Sequence, residues 1–191
     1  MNRKQLGVTS ILICLMMVMV VGEKFFNGKI KDVALISNNI ESMLTYKALE
    51  GQITYELPDN WACKEISYPG EYIAYNNKFY GEEMGINGDV QIIKTSSSLD
   101  DIVSSDINIL KEANIKDVKS LDDKIGDKTV KKVVYEEKTS IGRVYETKTY
   151  YAKLNEEEAI LKVSFSSGKD KYKENYETIY RIVLDSFQRR A

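Results

Sequence analysis

Ile53-Thr54-Tyr55-Glu56-Leu57-Pro58-Asp59-Asn60-Trp61 is the stretch of this 191-residue chain on which its fold turns. The run from Gln52 to Leu57 has the pattern of a strand, and Pro58-Asp59-Asn60 ends it with turn-forming residues just before a tryptophan. Upstream, Lys47 to Leu49 forms the opposite arm of a hairpin through Glu50-Gly51. Downstream, Tyr72 to Asn76 and Lys78 to Tyr80 read as a second hairpin turning at Asn76-Asn77. Gly81, Gly85 and Gly88 then punctuate a loop, and Asp89 to Lys94 is the next strand.

Helical spacing begins after the serine run. Ser97 and Ser98 are N-cap residues, with Asp100 and Asp101 placed to complement the first-turn amides. Leu99, Ile102, Val103, Ile107 and Leu110 make one apolar stripe continuing to about Ala113. Strands are expected at Val118–Leu121, Lys128–Lys138, Arg143–Leu154 and Glu158–Ser166, with turns at Ser140-Ile141-Gly142 and Asn155-Glu156-Glu157. In the last strand Ala159, Leu161, Val163 and Phe165 share one face, while Lys162, Ser164 and Ser166 share the other, which is wet or helix-covered. A closing helix from Asp170 to Phe187 carries Tyr172, Tyr176, Ile179, Val183 and Phe187 on its core stripe. Hairpins, helix, three long antiparallel strands and helix imply an α+β class with helices layered on an antiparallel sheet.

The first residues point to a location. Arg3 and Lys4 precede an uncharged, mostly apolar stretch from Gln5 to Gly22, an export signature. As a helix it would span about 27 Å, just the thickness of a hydrocarbon core. Two readings remain open: an N-terminal transmembrane signal-anchor over 1–23 with the rest outside the cytoplasm, or a signal peptide cut after Gly22 and a secreted product. Cys14 lies mid-run behind Ile13, unlike the site of a lipoprotein cysteine. Residues 24–45 read as a stem or linker, with Ile30, Val33, Ile36, Ile40 and Met43 at roughly helical spacing, and 46–191 as one extracytoplasmic domain.

Composition narrows the chemistry. There are 27 basic and 29 acidic residues, spread along the chain for a net charge of −2, which gives no basic stripe for nucleic acid. The chain contains no histidine, so Ser-His and Cys-His nucleophile pairs and histidine metal sites are impossible within it. With Cys14 in the targeting stretch, Cys63 lacks a disulfide partner in the exported part and reads as a small buried residue. The acidic runs Glu82-Glu83, Asp100-Asp101, Asp122-Asp123 and Glu156 to Glu158 match no calcium-loop spacing, so no metal or other cofactor is expected. Lys47, Lys94, Lys131 and Lys132 are candidates for a basic patch, against the plainer reading of a solvated face. The best candidate for partner binding is the group Tyr68, Tyr72, Tyr75, Asn76, Asn77 and Tyr80, because tyrosine and asparagine together are the composition of recognition surfaces.

The opening stretch also carries a resemblance. Apolar residues alternating up to Leu57-Pro58, with Trp61 following, resemble the start of domains similar to the photosystem accessory protein PsbP and the nuclear-transport factor Mog1. So do the helix after Asp89–Lys94, the turn at Ile125-Gly126-Asp127 before a Val-Val-Tyr-Glu strand, and the ending Ile182-Val183-Leu184-Asp185-Ser186-Phe187. The resemblance covers roughly Tyr46 to Phe187. It implies an α/β/α sandwich on a central antiparallel sheet of about six strands, in a superfamily mostly of binding and assembly proteins and not of enzymes. PsbP-type proteins are associated with calcium, chloride or manganese, but no ligand residue transfers to this histidine-free chain. The function expected is a non-enzymatic, membrane-tethered binding or assembly module of a bacterial cell envelope, holding a protein or wall partner through the sandwich surface. The alternatives are a small-molecule or lipid carrier, or a carboxylate-based hydrolase.

Overall fold

The computed structural model describes residues 12–18, 29–126, 128–154 and 158–189. A helical segment α1 (29–36) leads into β1 (Met43–Ala48), a tight turn at Leu49–Gly51, and β2 (Ile53–Pro58). There follow β3 (Ala62–Glu65), β4 (Ile73–Gly81), β5 (Ile86–Lys94), α2 (Leu99–Glu112), β6 (Lys119–Ile125), β7 (Lys128–Lys138), β8 (Val144–Leu154) and β9 (Ala159–Gly168). The chain closes with α3 (Tyr176–Asp185) and the short β10 (Gln188–Arg189). Seven strands form one antiparallel sheet in the order β3-β4-β5-β9-β8-β7-β6, one more than the expected six, while β1-β2-β10 make a separate small sheet.

The two main helices lie on opposite faces of the large sheet, because adjacent strand residues point opposite ways. Tyr150 faces the α3 side, packed with Ile179, Tyr180, Val183 and the small-sheet residues Tyr55 and Leu57. Its neighbour Tyr151 faces α2, packed with Ile102, Val103, Val133 and Ile160. Ser98 caps α2 as expected: its hydroxyl accepts from the Asp101 amide, and Asp101 returns the bond to the Ser98 amide.

The α3 layer is organised by a column of rings. Trp61 stacks on Phe79 with centroids 4.9 Å apart, Phe79 meets Phe165 at 5.5 Å, and Phe165 stacks on Tyr180 at 4.2 Å. Two glycines make room for it. A Cβ at Gly81 would lie 2.5 Å from the Trp61 indole nitrogen, and one at Gly88 would lie 1.9 Å from the Ser164 carbonyl oxygen and 2.6 Å from Phe79. Gly88 therefore lies inside β5 and not in a loop, and the strand starts at Ile86 rather than Asp89.

Three further expectations change. Asn76-Asn77 is not a hairpin turn: β4 runs unbroken through it, paired on both sides, and turns at Glu82–Gly85. The two amides point to opposite faces, and Asn77 donates to the Tyr55 hydroxyl at 2.7 Å, so sheet pairing and a buried bond override local turn preference. The last helix begins at Tyr176, six residues later than its spacing suggested. The stem presents a different face: Ala34 and Ile40 are buried against the domain, whereas Ile30, Val33 and Ile36 are exposed. Residues 12–18 are helical, and among the described residues no helix is long and apolar enough to cross a membrane; the rest of the 1–23 segment, the cleavage position at Gly22 and the turn at 155–157 lie outside the described residues.

Glu177 ties α3 to the sheet. Lys132 and Lys148 donate to its carboxylate at 2.6 and 2.9 Å, and the Tyr150 hydroxyl donates at 2.8 Å. Burial raises its pKa, but these bonds outweigh burial and hold the carboxyl at about 2, against the usual 4.5. A folded pKa below the unfolded one gives stability that is complete above about pH 4.5 and is lost as pH falls toward 2, roughly 3 kcal/mol in all. Chemical denaturation across this window should show a steep loss in the wild type and a much flatter profile in Glu177→Gln. Gly88→Ala should cost about 3 kcal/mol or prevent folding, read by the same measurement at neutral pH.

Candidate functional site

Helix α2 covers only part of its sheet face. Val133, Tyr151 and Ile160 lie beneath it and are apolar or aromatic, but toward the other end of the same face the residues become polar. Strand register sets them in two rows across the sheet. One row runs Tyr80, Asn87, Ser166, Thr147, Tyr135, and the next runs Lys78, Asp89, Ser164, Thr149. All of these except the buried Thr149 floor an open groove of about 680 Å³, with Lys64 at the β3 side and Glu137 at the β7 side.

The floor is bonded to itself. Thr147 donates to the Ser166 hydroxyl at 3.0 Å and Thr149 to that of Ser164 at 3.2 Å, so cross-strand pairs preset the hydroxyls. Gln91 donates to Asp89 at 2.6 Å. Burial pushes the Asp89 pKa up, and Lys162, Ser164, Lys78 and Gln91 only partly offset it. Lys162 is engaged by Asp106 of α2 at 2.6 Å, and Asp106 also accepts from Tyr151 at 2.8 Å, which pins the helix edge along the groove. A half-desolvated carboxylate kept at a cost to the fold is a mark of a functional position.

The six residues singled out from sequence are not one surface. Tyr68, Tyr72 and Tyr80 are 39%, 56% and 48% exposed, but Tyr75, Asn76 and Asn77 are 7%, 1% and 2% exposed. The Tyr75 hydroxyl lies 2.8 Å from that of Tyr55. Tyr80 lines the polar groove, whereas Tyr72 and Tyr75 line a second cavity of about 960 Å³ among Glu50, Glu65, Glu71, Glu158 and Lys94. The residues the sequence reading missed, Ser164, Ser166, Thr147 and Asp89, look in sequence like the solvent side of an alternating strand. The signal that could have found them is the coincidence of hydroxyls at matching positions in consecutive strands.

Other candidates resolve simply. Lys131 pairs with Asp100 and Asp122 on the α2 side and Lys132 with Glu177 on the α3 side, so the basic patch does not assemble. Asp123 pairs with Arg181, and Glu83 accepts from Asn39. Among the described residues no three of Asp, Glu, Cys and His come together as a metal-binding group. Cys63 is half-buried, and burial pushes its thiol pKa up, opposite to a reactive thiolate.

The layered architecture now has counterparts. The chain is similar to the cyanobacterial PsbP (CyanoP) of Synechocystis sp. PCC 6803, with a TM-score of 0.53 and 12% identity over 79% of this chain and 94% of that one. It is equally similar to the Ran-binding protein Mog1p of Saccharomyces cerevisiae, with a TM-score of 0.53 and 13% identity over 77% and 95% of the two chains. The chain has the PsbP/Mog1-like fold. At these identities the likeness is one of fold, and it bears out the resemblance carried by the Leu57-Pro58 and Trp61 motif. No family model and no curated protein matches the sequence.

The groove makes a prediction about Asp89. Its folded pKa lies above the unfolded value, so its charge opposes folding once pH rises past about 3.8, and the opposition is absent well below that. Asp89→Asn should therefore melt at or above the wild-type temperature at pH 7 and lose that advantage near pH 3, as scanning calorimetry at both values would show.

Proposed function

We propose that this protein is a non-enzymatic binding or assembly module, displayed outside the cytoplasm and tethered by the apolar stretch from Gln5 to Gly22. Its partner, a protein or a wall component, docks on the polar half of the sheet beside α2, with the exposed Tyr68 and Tyr72 available as a further contact. The observation that carries this reading is a concave, preset polar surface on the interior strands of a rigid sheet, containing a carboxylate that burial disfavours. The yeast protein sharing the fold is a Ran-binding protein, an instance of this architecture serving protein recognition.

The geometry weighs against a paired-carboxylate hydrolase in this groove. Asp89 on β5 and Glu137 on β7 are separated by three strand spacings, about 14 Å. Such hydrolases need carboxyl groups no more than about 9.5 Å apart.

Two measurements test the proposal. In fractionated cells the protein should stay with the membrane and keep its N-terminus; a product beginning at Glu23 in the medium would overturn the tether. In envelope pull-downs with the full chain, the double variant Tyr80→Ala, Asp89→Asn should lose partner retention while melting like the wild type. Unchanged retention would remove the groove from the function.

A further inference from the structure

We infer that the groove is a binding site for a linear carbohydrate chain. The inference rests on reading the groove as the partner site and names the chemistry of what enters it.

The floor excludes other ligand classes one at a time. Its strands β4, β5, β9 and β8 are interior, with backbone groups already paired on both sides, so an extended peptide finds no sheet edge to join. An anion would meet the partly buried Asp89 at the centre, and a cation would meet Lys78 directly opposite it in register. An apolar ligand would strip water from hydroxyls and a carboxylate without replacing their hydrogen bonds. What remains is a neutral ligand that carries donors and acceptors along its whole length.

A glycan meets the rest of the description. Tyr80 and Tyr135 bracket the row Asn87, Ser166, Thr147, and four strand spacings put them about 19 Å apart. Tyr80 supplies an exposed aromatic ring of the kind that covers the apolar face of a sugar, with a polar tip that remains wet, and Tyr135 closes the other end as a half-buried ring packed against the α2 cluster. Between them stand an amide and two hydroxyls, with Asp89 one row away, to exchange hydrogen bonds with ring hydroxyls. A site lined with hydroxyls, an amide and a carboxylate discriminates for ligands that carry hydroxyl groups, since a ligand lacking them would displace water from the groove without replacing its hydrogen bonds. The groove also runs across the strands, so its length is set by the number of strands and suits a polymer more than a single sugar.

Calorimetric titration of the full chain in phospholipid nanodiscs, free of sugar-headed detergent, tests this with linear chito-oligosaccharides and solubilised wall glycan strands as probes. Affinity should rise with chain length until the glycan reaches both tyrosines and then level off. Tyr80→Ala and Asp89→Asn should each weaken binding about tenfold or more, whereas Ile36→Ala, exposed on α1 on the α3 side of the molecule, should bind like the wild type. Absence of binding at every length, or binding indifferent to Tyr80 and Asp89, overturns the inference. If pull-down retention still depends on the groove in that case, the carbohydrate assignment alone falls and the binding function stands; if retention is also indifferent to the groove, both fall.

Discussion

The column Trp61, Phe79, Phe165, Tyr180 is the contact on which the rest of this structure depends. It joins the corner after β2, two strands of the large sheet and α3 through two stacked pairs and one tilted pair of rings, each worth about 0.5–1.5 kcal/mol beyond its buried area. The column explains why the Leu57-Pro58 turn must deliver a tryptophan at position 61. It also explains why Gly81 and Gly88 lack side chains, because either Cβ would collide with a ring of the column or with the neighbouring backbone. With most of the apolar bulk of the sheet drawn to that face, the opposite face carries a smaller apolar cluster only where α2 sits.

That asymmetry creates the site. The α3 face is filled by rings and aliphatic groups, and its polar members, Glu177 with Lys132, Lys148 and Tyr150, are fully engaged in holding the helix down. The α2 face is apolar beneath the helix and polar beyond it, with Asp106 and Lys162 marking the border. Groove residues project from interior strands that are bonded on both sides, so they are held by the most rigid part of the molecule and not by loops. The fold itself thus fixes the hydroxyl pairs and the disfavoured Asp89 of this surface.

Much of the fold was legible because it rests on periodicity. The α2 stripe and its Ser98 cap, strand β7 and the alternating β9 all follow from spacings of 3.6 and 2. The errors came where a local preference met a tertiary contact. Asn76-Asn77 has turn chemistry, yet the central position of β4 and the bond to Tyr55 keep it extended. The stem has an apolar spacing, yet Ala34 and Ile40, not Ile30 and Val33, meet the domain. The tyrosine-rich candidate surface was a reading of composition, which cannot tell that Tyr75 points into the core while Tyr80 points out. The groove was invisible for a related reason: its residues come from six strands spread between Ala62 and Ser166, and only pairing aligns them.

By itself the sequence determined the order and type of most elements, the exclusion of histidine chemistry, and the motif that marks a PsbP/Mog1-like sandwich. These are properties of neighbours along the chain or of composition, and they need no coordinates. Only the tertiary structure decided which side chains share a surface, because register and the placement of α2 bring distant strands together and leave one half of a face uncovered. Recognition depends on that convergence, and convergence is a property of space that a spacing along the chain does not record.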